Sequence, residues 1–390
     1  MTITQYFRNF FRFAKSSGNL LVICVILSLL IANSNMGENF QDLLLYKIGP
    51  YSISSWINDG LMAIFFLLVG LEIKRELVEG ELSSLKSASL PIFAAIGGML
   101  VPALIFSFFN SGTPYESGWG IPMATDIAFS LAIISMLGRR IPASLKIFLT
   151  ALAIVDDLGA IIVIAIFYTE KLEIIYLLIS GIIILILLIF NYLKVTKHIY
   201  YLIPGILLWY CMHHSGIHAT ISGVLLAFTI PTNKGTARIS PLEKLEEKLH
   251  FPVSYIIMPI FALANTNIKF HNGMVDALHS NFGLGIILGL VLGKVIGINL
   301  FSFIAVKLKI SELPSKSNWP LMIGAGLLAG IGFTMSIFIA LLSYKGDATI
   351  QDEAKFAILV ASGIAGFSGY FLLKAFGKKK IRLSDYRENF

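Results

Sequence analysis

The chain is expected to fold as an all-α polytopic membrane protein with about twelve transmembrane helices, on three observations. Of its 390 residues, 56% are hydrophobic and only 14% charged, whereas a soluble domain carries about 25% charged residues. Runs of about 20 apolar residues recur, each long enough to span a hydrocarbon core about 30 Å thick. The runs are continuous rather than alternating. They therefore read as helices and not as strands of a closed barrel, the other structure that satisfies its own backbone in lipid.

Taken in order, the apolar runs fall at about 13–33, 57–73, 88–108, 119–138, 144–168, 174–193, 199–213, 216–230, 252–266, 283–305, 319–343 and 355–376. The first lacks a clear cleavage site for a signal peptide and reads as a span. Segments 216–230 and 252–266 are short or polar for a lipid-facing helix, which suits burial among other helices. Cys24 and Cys211 both lie in apolar runs, so a disulfide framework is not expected.

Charge orients these spans. The net charge is +7, which in a soluble chain would raise the question of nucleic acid; here the distribution explains it. With the N-terminus inside the cell, 24 of the 30 Lys and Arg residues fall in the tails and loops of the cytoplasmic side and five on the opposite side, leaving Lys294 within a span. That bias follows the positive-inside rule and places both termini in the cytoplasm. The longest cytoplasmic connection, 231–251, contains Pro231, Pro241 and the run Glu243, Lys244, Glu246, Glu247, Lys248, and reads as a short amphipathic surface helix. With no composition break, residues 1–390 form one integral membrane domain.

Charged groups at membrane depth are costly and are functional candidates by default. Here they are Asp59, Glu72, Asp126, Asp156, Asp157 and Lys294. Asp59 and Glu72 lie near opposite ends of one span, where interfacial positions would account for them. Asp156 and Asp157 sit mid-span in LALAIVDDLGAIIVIAI. Neighbours on a helix point about 100° apart, so one carboxylate can face an aqueous cavity while the other faces a neighbouring helix. Close acids titrate as a coupled pair, and oxygen ligands suit a hard cation. Such a pair can exchange protons for Na⁺. Lys294, between glycines 293 and 297, is too deep to snorkel with ease and calls for an intramembrane acid as partner.

Two spans look broken. Gly120-Ile121-Pro122-Met123-Ala124-Thr125-Asp126 puts a proline, a hydroxyl and an acid at membrane depth, and Gly330-Ile331-Gly332-Phe333-Thr334-Met335-Ser336 concentrates glycine and hydroxyls. Each is the middle member of a three-span unit, about 88–168 and about 283–376, although no residue-level repeat links the two.

These segments carry a resemblance. INDGLMAIFFLLVGLEIKREL (57–77), PMATDIAFSLAII (122–134), ALAIVDDLGAIIVIAIFY (151–168), GIHATISGVLLAF (216–228), LGKVIGI (292–298) and GIGFTMSIFIA (330–340) resemble, in order and over nearly the whole chain, the NhaA family of Na⁺/H⁺ antiporters. Paired interruptions in two halves point to a transporter site, a rule for which NhaA is itself a type case. The resemblance implies inverted repeats with two crossed, partly unwound helices, the unwound residues being Pro122, Met123, Ala124, Gly330, Gly332, Phe333 and Thr334. It implies Asp156 and Asp157 as carriers of transported Na⁺ and protons, with Asp157 the leading cation ligand and Thr125 and Asp126 at the crossing. Asp126 would offset the positive half-helix ends and Lys294 the negative ones, with Lys294 also partnering Asp156.

The resemblance further implies a pH-sensing surface at Glu72, Arg75, Glu246 and His250. It implies a homodimer paired through 34–56, a bacterial inner-membrane location, Na⁺ or Li⁺ as cargo, and neither cofactor nor nucleic-acid partner. Three positions depart from the family's best-known member. Val295 replaces a proline, Glu247 a histidine and Lys248 a valine. The residues leave open whether Asp156 or Lys294 carries a second proton.

Other classes fit less well. An intramembrane aspartyl protease needs acids on different helices. A prenyl-transferring enzyme needs a second aspartate-rich site. A channel needs a filter string, and none occurs. A Na⁺-coupled symporter remains the nearest rival, separated by whether Na⁺ alone dissipates a pH gradient.

Overall fold

The computed structural model describes residues 3–169, 172–232, 239–270 and 273–377. Lys171, Lys234, Arg238 and the basic tail from Lys378, all counted in the charge asymmetry, lie outside the described residues, as do the side chains of Arg8, Arg12 and Lys15.

Each of the twelve apolar runs is helical over most of its length. Helix α1 (Ile3–Ala32) turns by 109° into α2 (Gly37–Leu45), and a two-residue hairpin follows, β1 (Lys47–Ile48) against β2 (Tyr51–Ser52). Then come α3 (Ile53–Val78), α4 (Leu85–Asn110), α5 (Glu116–Met136), α6 (Ala143–Phe167), α7 (Ile174–Tyr192), α8 (Ile199–His214) and α9 (Ile221–Thr229). The second half comprises α10 (Pro241–Pro252), α11 (Met258–Asn265), α12 (Asn281–Lys307), α13 (Trp319–Ala329), α14 (Phe333–Ser343) and α15 (Ala348–Phe376).

Seven of these helices are long and apolar enough to cross a membrane, or nine if the bent pairs α1–α2 and α13–α14 each count as one span. The expected count of twelve is therefore not reached by length and composition. The shortfall lies in α8, α9 and α11, of 16, 9 and 8 residues. Segment 216–230 becomes helical only at Ile221, because Gly216 takes a left-handed turn, φ +86°. Seven of the nine α9 residues are buried, which explains how so short a helix sits within the bundle.

Small residues set the helix spacing, as is usual where lipid supplies no hydrophobic drive between helices. A Cβ on Gly97 of α4 would stand 2.2 Å from the Gly297 carbonyl oxygen of α12, and one on Gly297 would stand 2.0 Å from that of Gly97. The two backbones touch. On the other side of the molecule Gly223 of α9 meets α3 in the same way, 2.2 Å from the Ala63 oxygen.

The amphipathic segment within 231–251 is α10. Ser240 caps it, accepting from the Glu243 N–H while the Glu243 carboxylate accepts from the Ser240 N–H at 2.7 Å, with Pro241 in the first turn. This reciprocal box satisfies two otherwise orphaned donors. Helix α10 runs through a π turn, Val253–Ile257, directly into α11. Two further π turns, Trp56–Leu61 around Asp59 and Gly289–Gly293 just before Lys294, interrupt α3 and α12 next to charged residues, where such bulges concentrate.

The contact at Gly97 and Gly297 generates a stability prediction. Gly297→Leu should force α4 and α12 apart, an overpacking cost of about 1–3 kcal/mol or more, and lower the melting temperature in detergent. Gly363→Leu, where an added Cβ meets nothing within 4 Å, should leave it unchanged. Equal melting temperatures for the two variants would show that the α4–α12 contact does not limit stability.

Candidate ion-binding site

The site is built where two helices lose their regular backbone. Helix α5 is a tight 3₁₀ coil over Glu116–Met123, is extended at 124–126, and resumes as α-helix at Ile127–Met136. The chain is likewise unwound at 331–332 between α13 and α14, which meet at 45°. The two breaks cross, and the Asp126 N–H donates to the Ile331 carbonyl at 2.6 Å.

Each break exposes a helix N-terminus with free N–H groups and a C-terminus with free carbonyls. Asp126 serves both N-termini. Its Oδ1 accepts from the Phe129 N–H at 3.0 Å, and its Oδ2 accepts from the Thr334 N–H at 3.2 Å and the Thr334 hydroxyl at 2.5 Å. Hydroxyls serve the carbonyl ends, each reaching across from the opposite helix. Ser130 donates to Leu328 at 2.7 Å, Thr125 to Ala329 at 2.8 Å and Ser336 to Ile121 at 2.7 Å. The negative ends are thus satisfied by hydroxyls, while Lys294 bonds to an acid.

That acid is Asp156. Lys294 Nζ donates to Asp156 Oδ2 as a salt bridge, with the lysine fully buried and the aspartate 1% exposed. Thr125 Oγ1 lies 2.5 Å from the same oxygen. A hydroxyl has one hydrogen, and the Ala329 carbonyl can only accept. With Asp156 ionised and paired to Lys294, the single hydroxyl hydrogen is shared between the carboxylate and the carbonyl.

Asp157, one position on, points elsewhere, as the 100° step requires. It is 2% exposed, and its Oδ1 has no hydrogen-bonding partner among the described residues, nor has Asp156 Oδ1. Buried oxygens without a partner are rare and require a reason. Asp157 lines a cavity of about 80 Å³ together with Asp126, Thr334, Ser17, Glu72 and His250. The cavity runs from Asp157 to the π turn at the end of α10. Among the described residues no three His, Cys, Asp or Glu side chains form a resident metal cluster.

Glu72, Arg75, Glu246 and His250 come together where α3 meets α10. Arg75 Nη1 donates to Glu246 Oε1 at 2.7 Å and Nη2 to Glu76 Oε1 at 3.0 Å. Burial, then the Arg75 guanidinium, hold the His250 imidazole below its ordinary value of 6.5. His250 is therefore neutral in the neutral and alkaline range. As pH falls through the unfolded-state value, the unfolded segment takes up a proton that the folded one resists, so the docking of α10 weakens toward acid. Beside it Lys74 Nζ donates to the Phe228 and Ile230 carbonyls at 2.7 and 2.5 Å, securing the end of α9 against α3.

On the opposite side a larger basin of about 630 Å³ is lined by Asp59, His218, Asn265, Lys345 and Phe338, among others. His218 Nε2 stands 3.8 Å from Asp59 Oδ1. Phe338 of α14, 1% exposed, packs against the rings of Phe66, Phe261 and His218 at centroid distances of 5.6, 6.3 and 5.4 Å. It lies one helical turn beyond Thr334, so the half-helix that meets Asp126 also carries this aromatic cluster. Phe338 and Ser130 were not singled out from the sequence, whereas Ser336 belongs to the hydroxyl-bearing segment read there as a break.

The family model for Na⁺/H⁺ antiporter 1 matches residues 8–373. The chain is 57% identical over 385 residues to Na⁺/H⁺ antiporter NhaA 2 of Flavobacterium johnsoniae, covering 96% of this chain and 94% of that one. It is 53% identical to Na⁺/H⁺ antiporter NhaA of Flavobacterium psychrophilum over 98% of this chain and 99% of that one. It is 52% identical to Na⁺/H⁺ antiporter NhaA of Dechloromonas aromatica over 96% and 97% respectively. With the family model spanning nearly the whole chain and relatives more than half identical over nearly all of both sequences, the chain belongs to the NhaA family of Na⁺/H⁺ antiporters.

Proposed function

We propose that the protein extrudes Na⁺ or Li⁺ in exchange for external protons, electrogenically and under pH control, in sodium and pH homeostasis. The observation that carries this reading is Asp157. It is a buried carboxylate with an unpartnered oxygen, on the wall of a small cavity that Asp126, Glu72 and His250 also line, and beside the ion-paired Asp156. Asp157 is the leading cation ligand, with Asp156, Thr125 and Asp126 near it. Protonation of the pair and binding of the cation exclude one another, which couples the two fluxes without a cofactor.

The units about 88–168 and about 283–376 act as inverted repeats around the crossing. The side bearing α10 is cytoplasmic in this reading, as are both termini, and the membrane is the bacterial inner membrane. Glu72, Arg75, Glu246 and His250 control access to the cavity. Residues 34–56, with α2 and the β1–β2 hairpin exposed at the surface, pair two copies as a homodimer.

Asp157→Asn tests the assignment most directly. An amide cannot carry the proton and binds a cation less well, so Na⁺-driven collapse of a pH gradient in proteoliposomes should disappear while the protein stays folded and inserted. Substantial Na⁺-dependent proton flux in the variant would sink the carrier role.

Competition for the same carboxylates fixes a pH dependence. With one competing proton, the apparent KM for Na⁺ should rise about tenfold per pH unit below the governing pKa. Dequenching measured across a pH series reads this directly. A flat KM with a changing maximal rate would place pH control entirely in the Glu72–His250 region.

Charge should move as well. Two proton positions, Asp157 with either Asp156 or Lys294, against one Na⁺ give one net charge per cycle, so each 100 mV of inside-negative potential contributes about 2.3 kcal/mol to extrusion. On a supported membrane at symmetrical pH, a Na⁺ jump should give a transient current opposite in sign to Na⁺ movement. Exchange without current would refute electrogenicity.

A further inference from the structure

A third cavity, of about 520 Å³, is a groove on the bilayer-facing surface between α1, the Ile127–Met136 half of α5, and α15. Its walls include Val22, Ala132, Gly363 and Tyr370, and its floor is formed by Phe129 and Phe333. The hydroxyl of Ser362, which also lines it, already accepts from the Phe333 N–H at 3.2 Å. Helices α5 and α15, and α1 taken together with α2, are long and apolar enough to cross a membrane, so hydrocarbon rather than water bathes this surface.

One end of the groove is basic. Met136 and Tyr370 mark its mouth, and Lys374 Nζ sits over the Tyr370 ring, 5.6 Å from its centroid. The end of α15 returns to the loop after α5, since a Cβ on Gly377 would stand 3.2 Å from the Arg140 carbonyl oxygen. Exposed Arg139 and half-buried Arg140 therefore lie on the same rim as exposed Lys374, and none of the three pairs with an acid among the described residues. Basic residues at the membrane surface, beside a crevice between helices, recognise anionic lipid headgroups.

We propose that this groove holds one acyl chain of an anionic phospholipid whose headgroup rests on Arg139, Arg140 and Lys374. The chain lies against Phe129 and Phe333, whose rings meet edge to face at 4.9 Å. Phe129 donates its N–H to Asp126, and Phe333 directly precedes Thr334. The lipid thus braces the unwound crossing from its bilayer side. The inference rests on the membrane reading and is independent of which ion is carried.

Native mass spectrometry on protein re-lipidated with phosphatidylglycerol or phosphatidylcholine tests it. Wild type should retain one phosphatidylglycerol per protomer at least several-fold more readily than phosphatidylcholine. Gly363→Trp, with open space at its Cβ, and Val22→Trp, from the facing wall, should each fill the groove and lose that lipid. The combined Arg139→Gln, Arg140→Gln, Lys374→Gln variant should retain both lipids equally. No preference in wild type, or phosphatidylglycerol retention unchanged in a folded tryptophan variant, would overturn the proposal; if one tryptophan variant fails to fold, the other decides.

Discussion

An unwound backbone at membrane depth has no water to bond to, and the rest of this structure follows from how that requirement is met. Non-helical chain is tolerated in the hydrocarbon region only where protein or a cavity satisfies its polar groups. Here each broken helix is completed by the other. Asp126 takes N–H groups from both N-termini, and Ser130, Thr125 and Ser336 take carbonyls across the gap. The arrangement is reciprocal, so neither break is stable without its partner. It also holds two half-helices together through side chains rather than through a continuous backbone ladder, the kind of joint that can change geometry without unfolding a helix.

The buried ion pair is the second consequence. Moving a lysine and an aspartate out of water costs several kcal/mol per ion, and their attraction offsets this only in good geometry. Lys294 gains that geometry because the π turn Gly289–Gly293 resets the face that α12 presents, and because Gly97 and Gly297 bring α4 and α12 to backbone contact. A neutral pair of similar shape would serve stability as well or better. Folding alone therefore does not account for the charge, which fits the exchange role proposed for Asp156, an acid held by both Lys294 and Thr125.

Much of this was legible in the sequence, and the residues show why. Twelve apolar runs gave twelve helical segments, because helix is what continuous hydrophobicity requires in lipid. Glycine, proline and hydroxyl clusters located both breaks, since these residues mark places where the ladder fails. The adjacency of Asp156 and Asp157 already implied divergent directions. What could not be read was which groups bond to the carbonyl ends of the broken helices, because the hydroxyls reach them from the opposite helix, a matter of tertiary distance. Helices α8 and α9 fell short of full spans because turns such as that at Gly216 shorten them, whereas α11 is the end of a longer helix that begins in the charged α10. Phe338 looked like any core aromatic, and only its place on the wall of the basin, one turn from Thr334, distinguishes it.

The two cavities are unequal, and the inequality carries a mechanistic consequence. The small cavity ends on Asp157, Asp126 and Thr334, whereas the large basin stops at Phe338. Each cavity takes part of its wall from α14, whose first turn is held by Asp126 and whose second turn carries Phe338. A shift of α14 that opens Phe338 toward the basin must therefore disturb Thr334 at Asp126. Because Asp126 also caps the Ile127–Met136 helix, the two half-helices must respond together. The two half-helices are thus joined through a single capping carboxylate, not by a long chain of contacts. Glu72 and His250 line the same small cavity as Asp126, Asp157 and Thr334, so the end of α10 and the crossing share one space.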